Sequence, residues 1–182
     1  MTVAIAKWTI EEYHRLIQAG MLQNKQVELI RGEIVEMAPE GEPHAYFSTA
    51  SDKYLTRLLG DRALVRQAKP ITLPNQSEPE PDIAIVQPLG RAYLSHHPYP
   101  EDIFWVIEYS ESSLAKDLNI KPEVYAEVEI PEYWVVNLKQ RKLIVFREPQ
   151  DGHYLTRQEY TEGTISPVSF PDVQVQVNRI VN

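Results

Sequence analysis

The chain of 182 residues carries 18 Lys and Arg against 26 Asp and Glu, a net charge of −8, with 43% hydrophobic and 24% charged residues and no cysteine. That composition is globular rather than disordered, and the missing cysteines exclude disulfides, thiolate metal sites and cysteine nucleophiles. The acidic balance argues against tight non-specific binding of polyanions, while leaving room for a small basic groove or for an acidic site whose metal ions offset its charge. No apolar run approaches the roughly 20 residues of a membrane span, and Met1–Lys7 lacks the pattern of a secretory signal. The expectation is a cytoplasmic protein with one domain over residues 1–182.

Thr9 and Glu12 form an S/T-x-x-E capping box. Ile10, Tyr13, Leu16 and Ile17 follow at helical spacing and Gly20 supplies a stop, so a first helix is expected there. Gln26–Arg31 and Glu33–Met37 flank Gly32 and read as a strand–turn–strand unit. A second helix is expected over Pro43–Leu59, with Phe47, Ala50, Tyr54 and Leu58 on one face. Strand candidates follow at Ala63–Gln67, Ile71–Leu73 and Asp82–Val86, among prolines that concentrate between Pro70 and Pro88 and at Pro98–Pro100. Tyr93–Tyr99 reads as an exposed loop over the cleft. Ile103–Ser110 is a strong strand, rich in β-branched and aromatic residues.

Ser112–Ile120 reads as irregular. A helix then starts at Lys121 or Pro122, where proline suits a first turn, and carries Val124, Tyr125 and Val128. Glu132–Leu138 and Leu143–Arg147 are strands joined around Lys139–Arg141, and His153–Val177 supplies further short strands with a loop at Ser166–Pro167. This order predicts an α/β protein: a mixed β-sheet flanked by helices, with an N-terminal helix and β-hairpin and extra C-terminal strands.

Two carboxylates stand out. Asp82 opens the apolar strand Ile83–Val86, where its side chain can leave the sheet edge for a cleft. Glu108 lies inside Trp105–Ser110, on the same face as Val106 and Ser110 by the period of two. A carboxylate in so apolar a strand is expensive to bury unless it is paired or bound to a metal. It either pairs with an arginine at the sheet's end or belongs to a site. Two carboxylates from neighbouring strands plus a backbone carbonyl make a hard oxygen site for Mg2+ or Mn2+, which beside a phosphodiester generates a nucleophile and clamps charge. Lys121 is the candidate cation; a solvated lysine paired with Asp117 at i, i+4 is the plain alternative.

The set Pro81-Asp82, Glu108-Tyr109-Ser110, Asp117, Lys121, Tyr125 and Ile130–Val136 resembles the Uma-type restriction-endonuclease family, grouped with PD-(D/E)XK nucleases. Val27–Glu33, Met37, Pro39 and His44 extend the resemblance over roughly residues 8–148. It implies the restriction-endonuclease-like α/β fold and a divalent-metal nuclease site acting on DNA. Asp82 and Glu108 match the metal carboxylates, with the Tyr109 carbonyl as a further ligand. Ser110 stands where the lysine two residues after the Glu is expected, so the cation falls to Lys121. Glu28 matches an acidic family position that lines the same cleft or else pairs with Arg31 or Arg66. His44 starts a helix, where it either contacts substrate or caps the surface. A homodimer fits cleavage of both strands of a duplex.

Other readings have less behind them. His96 and His97 are adjacent, which does not suit one metal. The serines lack a nucleophile elbow, and no phosphate-binding glycine loop occurs. Arg57, Arg62, Arg66 and Lys69, and separately Lys139, Arg141, Lys142 and Arg147, meet DNA phosphates or are solvated ends. The leading expectation is a magnesium-dependent DNA endonuclease. The alternatives are a catalytically inactive nucleic-acid- or protein-binding module that keeps the fold, and a structural homodimer pairing through a sheet edge.

Overall fold

The computed structural model describes residues 5–182, so most of Met1–Lys7 lies outside it. The elements in order are α1 (Ile10–Gln18), β1 (Val27–Ile30), β2 (Glu33–Glu36), α2 (Glu42–Leu59), β3 (Leu64–Gln67), β4 (Ile83–Val86), β5 (Ile103–Ser110), α3 (Leu114–Asn119), α4 (Lys121–Ala126), β6 (Glu132–Asn137), β7 (Lys142–Gln150), β8 (His153–Tyr160), β9 (Thr164–Ile165), β10 (Val175–Gln176) and α5 (Asn178–Val181). Strands β3 to β8 form one six-stranded sheet in sequence order. Every neighbouring pair is antiparallel except β5 and β6. Parallel neighbours need a crossover, and α3 and α4 are that crossover. No helix among the described residues is long and apolar enough to cross a membrane.

The middle strands β4, β5 and β6 are covered on both faces, which is why they read as continuous apolar runs instead of alternating. Trp105, Ile107, Tyr109 and Trp134 point to one core, shared with Leu55 and Leu59 of α2 and Ile180 of α5. Val106, Tyr133 and Val135 point to the other, under Val124 and Tyr125 of α4. Glu108 alternates with Tyr109 and so enters this second layer as a charge among apolar side chains.

The N-terminal unit follows its local signals. The Thr9–Glu12 capping box forms reciprocally at α1. Strands β1 and β2 join through Arg31 and Gly32, both at positive φ, the tight hairpin turn that glycine favours. A bridge from Leu29 to Glu78 ties this hairpin to the body of the protein. Pro122 sits in the first turn of α4 as the sequence predicts.

Four expectations change. Ile71 and Leu73 are fully buried, but only Leu73 makes a bridge, to Ser77, because Pro70 and Pro74 cannot donate to a ladder. Ser112–Ile120 is not irregular: Leu114–Asn119 is helical, with its Lys116 and Asp117 amides bonded back to the Ser113 carbonyl. The fully buried face of α2 runs through Ser48, Ser51, Leu55 and Leu59, while Phe47, Tyr54 and Leu58 pack at its flank. Val128 lies past the end of α4 and is half-buried.

Candidate active site

The antiparallel register pairs Ile83 with Ile107, so the next position sets Asp82 opposite Glu108. The ladder has ended there, and Asp82 uses its side chain where a strand would use its backbone. Its Oδ2 accepts the Tyr109 backbone N–H at 2.6 Å and meets His44 Nε2 at 3.0 Å. In an extended strand the N–H and C=O of one residue point to the same side. The Tyr109 carbonyl therefore faces the same edge as the N–H that holds Asp82. His44 is delivered by the first turn of α2, and its Nδ1 lies 3.6 Å from Glu40 Oε2.

Glu108 is 4% exposed, and its Oε1 accepts from Lys121 Nζ at 2.6 Å and from Tyr125 Oη at 3.1 Å. Both donors come from α4, where Pro122 starts the helix and leaves Lys121 at its mouth. Lys121 is also 3.4 Å from Glu28 Oε2, and Glu28 Oε1 accepts from Lys116 Nζ at 2.8 Å. Glu28 pairs with neither Arg31 nor Arg66. Arg31 bonds Glu123 and Glu127 instead, and the Arg66 guanidinium lies over the Tyr93 ring. Asp117 takes the Ser110 and Ser113 hydroxyls, so the Lys121–Asp117 pair does not form.

These groups close around a cavity of about 110 Å³. Its wall holds the carboxylates of Glu40, Glu80, Asp82, Glu108, Glu111 and Asp117 against the lysines Lys116 and Lys121, so negative charge is in excess. Burial pushes the Glu108 carboxyl up to about 8 against the pull of Lys121, with Asp82, Asp117 and Glu28 adding repulsion. Burial alone would discharge Lys121, but Glu108 and Glu28 hold its ammonium well above the ordinary lysine value. The 2.6 Å contact is that of an ammonium on a carboxylate. We therefore read the pair as ionised, with the upward push on Glu108 as the cost of that state. For Glu28, burial opposes ionisation, yet the charges of Lys121 and Lys116 and their hydrogen bonds hold it below the usual range. Burial also raises Glu80, helped by Glu28. For His44, burial opposes the imidazolium, but the hydrogen bond and charge of Asp82 prevail and raise it.

The donor set is hard oxygen with one imidazole, and the unbalanced charge is negative. Both features fit a divalent cation such as Mg2+ or Mn2+. Glu40, His44 and Asp82 bring ligand atoms within 4.8 Å of one another. Asp82, Glu108, Tyr109, Lys121, Glu28 and His44 thus gather at one place.

Glu40, Glu80 and Lys116 were not among the residues expected there. Two of them left a trace: Glu40 precedes His44 by four residues, and Glu80 precedes Asp82 by two, which returns an extended chain to the same face. Lys116 left none. The Tyr93–Tyr99 loop does not cover this cavity. It walls a separate groove of about 790 Å³ with Ile10, His14 and Thr72. The basic stretches are partly spent on internal pairs, Arg62 with Asp172, Lys142 with Glu159 and Arg147 with Glu132.

Residues 10–178 match the family model described as Uma2, Putative restriction endonuclease. The sequence finds no match among curated proteins. Among solved structures, a putative nuclease belonging to DUF820 from Anabaena variabilis is similar with a TM-score of 0.71 and 14% identity, over 94% of this chain and 97% of that one. At that identity the likeness establishes the fold: a mixed sheet flanked by helices, as the sequence predicts.

Proposed function

Because the chain belongs to the Uma2 putative restriction endonuclease family, we propose that it is a metal-dependent endonuclease that hydrolyses DNA phosphodiester bonds at Asp82, Glu108 and Lys121. The observation that carries this reading is the placement of Asp82 and Glu108 on one small cavity with the Lys121 ammonium 2.6 Å from Glu108. Asp82, Glu108 and the Tyr109 carbonyl would hold Mg2+ or Mn2+. A divalent ion bound there lowers the pKa of a water and offsets phosphate charge.

The chain's own groups prepare that site. His44 and the Tyr109 N–H both hold Asp82 Oδ2, and among the described residues no donor bonds Oδ1. Lys121 and Tyr125 converge on Glu108 Oε1, and among the described residues no donor bonds Oε2. Each carboxylate is thus gripped by one oxygen and offers the other. Lys121 acts as a permanent positive charge, since both of its neighbours favour the ammonium over the amine. It keeps Glu108 ionised in surroundings that would otherwise protonate it.

The test is a cleavage assay on plasmid and single-stranded DNA with Mg2+, Mn2+ or chelator, for the parent and for Asp82→Asn. Cleavage that needs the metal and is lost in Asp82→Asn is expected. DNA binding without cleavage in any metal would refute the reading and leave an inactive binding module. Cleavage that survives both chelator and Asp82→Asn would place the chemistry elsewhere.

A further inference from the structure

The two lysines of the cavity are not equivalent. The Lys121 side chain is 4% exposed and sits between two carboxylates, Glu108 and Glu28, so it reaches nothing else without abandoning a buried charge. The Lys116 side chain is 24% exposed, lines the same cavity, and has one carboxylate partner, Glu28 Oε1 at 2.8 Å. An ammonium has three N–H groups, so Lys116 has donors to spare. Glu28 is fully buried and bonds Lys116 through one oxygen while its other lies by Lys121. It therefore anchors Lys116 by a short charge-assisted bond at the cavity wall and does not bury it.

We propose that Lys116 is the residue that touches the scissile phosphate, with Glu28 as the counter-ion that aims it and Lys121 confined to holding Glu108. This rests on the nuclease reading for the identity of the site but concerns a different contact. A mobile surface lysine would lose more conformational freedom on binding than one already held by a buried partner. Lys116 combines that anchoring with an open side. Among the described residues, Lys116 and Lys121 are the lysines on the cavity wall, and no arginine lies there.

The experiment measures DNA affinity against salt for a duplex oligonucleotide, with Ca2+ as the hard cation. The proteins are the parent, Lys116→Gln, Lys116→Arg and Lys142→Gln. Glutamine still donates to Glu28, so the fold is kept, and thermal melting verifies it. Losing one phosphate contact makes the slope of log affinity against log salt shallower by about 0.9 for a duplex. Lys116→Gln is expected to show that change, Lys116→Arg to restore the parental slope, and Lys142→Gln, whose side chain pairs with Glu159 on β8, to leave it unaltered. In Mg2+, Lys116→Gln should also cut about 10²-fold more slowly. An unchanged slope in Lys116→Gln overturns the proposal whether or not the protein cuts. A shallower slope in Lys116→Gln, with a parent that never cuts, keeps the phosphate contact and refutes the nuclease. A parent that binds no DNA overturns both.

Discussion

Replacing Lys121 with Met removes the ammonium while keeping a long apolar stem inside the second core. At 2.6 Å from Glu108 and 3.4 Å from Glu28, the two attractions lost are roughly 6 and 5 kcal/mol at an effective dielectric of about 20. Against them stands the release of the lysine's own desolvation, several kcal/mol. The uncompensated remainder is a buried Glu108 without its cation, a loss of about 3–5 kcal/mol. That loss depends on pH. Burial pushes Glu108 upward against the pull of Lys121, and losing Lys121 leaves that push unopposed, so the variant's carboxyl is protonated where the parent's is ionised. A carboxyl whose folded value lies above its unfolded one contributes stability that is fully present below the unfolded value and lost as pH rises through the folded one. The Lys121→Met penalty should therefore be largest near pH 8 and shrink toward pH 5, where a protonated Glu108 needs no cation and about 1 kcal/mol of lost hydrogen bonding remains. Urea denaturation of parent and variant at both pH values measures the difference. A penalty under about 1 kcal/mol at pH 8 would mean a solvated pair, and a penalty that grows toward acid would refute the sign of the argument.

Two further outcomes are expected. Glu108→Gln keeps an acceptor for Lys121 and Tyr125 but removes the anion, so its melting temperature in metal-free buffer should equal or exceed the parent's. Stabilisation by Mn2+ and cleavage should both be lost, and a variant that unfolds would mark Glu108 as structural. Glu132 is fully buried and accepts from Trp134 Nε1, Arg147 Nε and the Val168 N–H at 2.7, 2.8 and 2.7 Å. Glu132→Ala strands those donors and should lower stability by about 3–5 kcal/mol in thermal or urea melts. Cleavage below its melting point should be unaffected, because Glu132 lies outside the cavity wall.

The parts of this fold that were legible are those decided within a few residues. The capping box at Thr9 needs only Glu12, and the start of α4 needs only Pro122. Glu108 was conspicuous because a charge inside Ile103–Ser110 contradicts its strand, and Asp82 because it opens the next one. Partner choice was not legible. Glu28 had Arg31 nearby, yet it bonds lysines 88 and 93 positions away, because the hairpin docks over the crossover while Arg31 turns outward to Glu123 and Glu127. The α3 helix was hidden for a related reason. Six residues are too few for a periodic signal, and its stability comes from packing, with Asp117 held by Ser110 of β5. The place of the Tyr93–Tyr99 loop depends on where α1 comes to rest, and nothing within the loop specifies that.

The β1–β2 hairpin stands outside the main sheet, yet its Glu28 is the second counter-ion of Lys121 and the anchor of Lys116. Undocking the hairpin would expose the Glu28 carboxylate, leave Lys116 without its partner and leave Lys121 with Glu108 alone, in one motion. Local opening at the N-terminal edge then unbalances the charge behind the cavity in the same event. A proteolytic nick or an insertion near Gly32 would thus be felt at Glu108, far along the chain, and the hairpin is better regarded as a support behind the cavity's two lysines than as an appendage to the sheet.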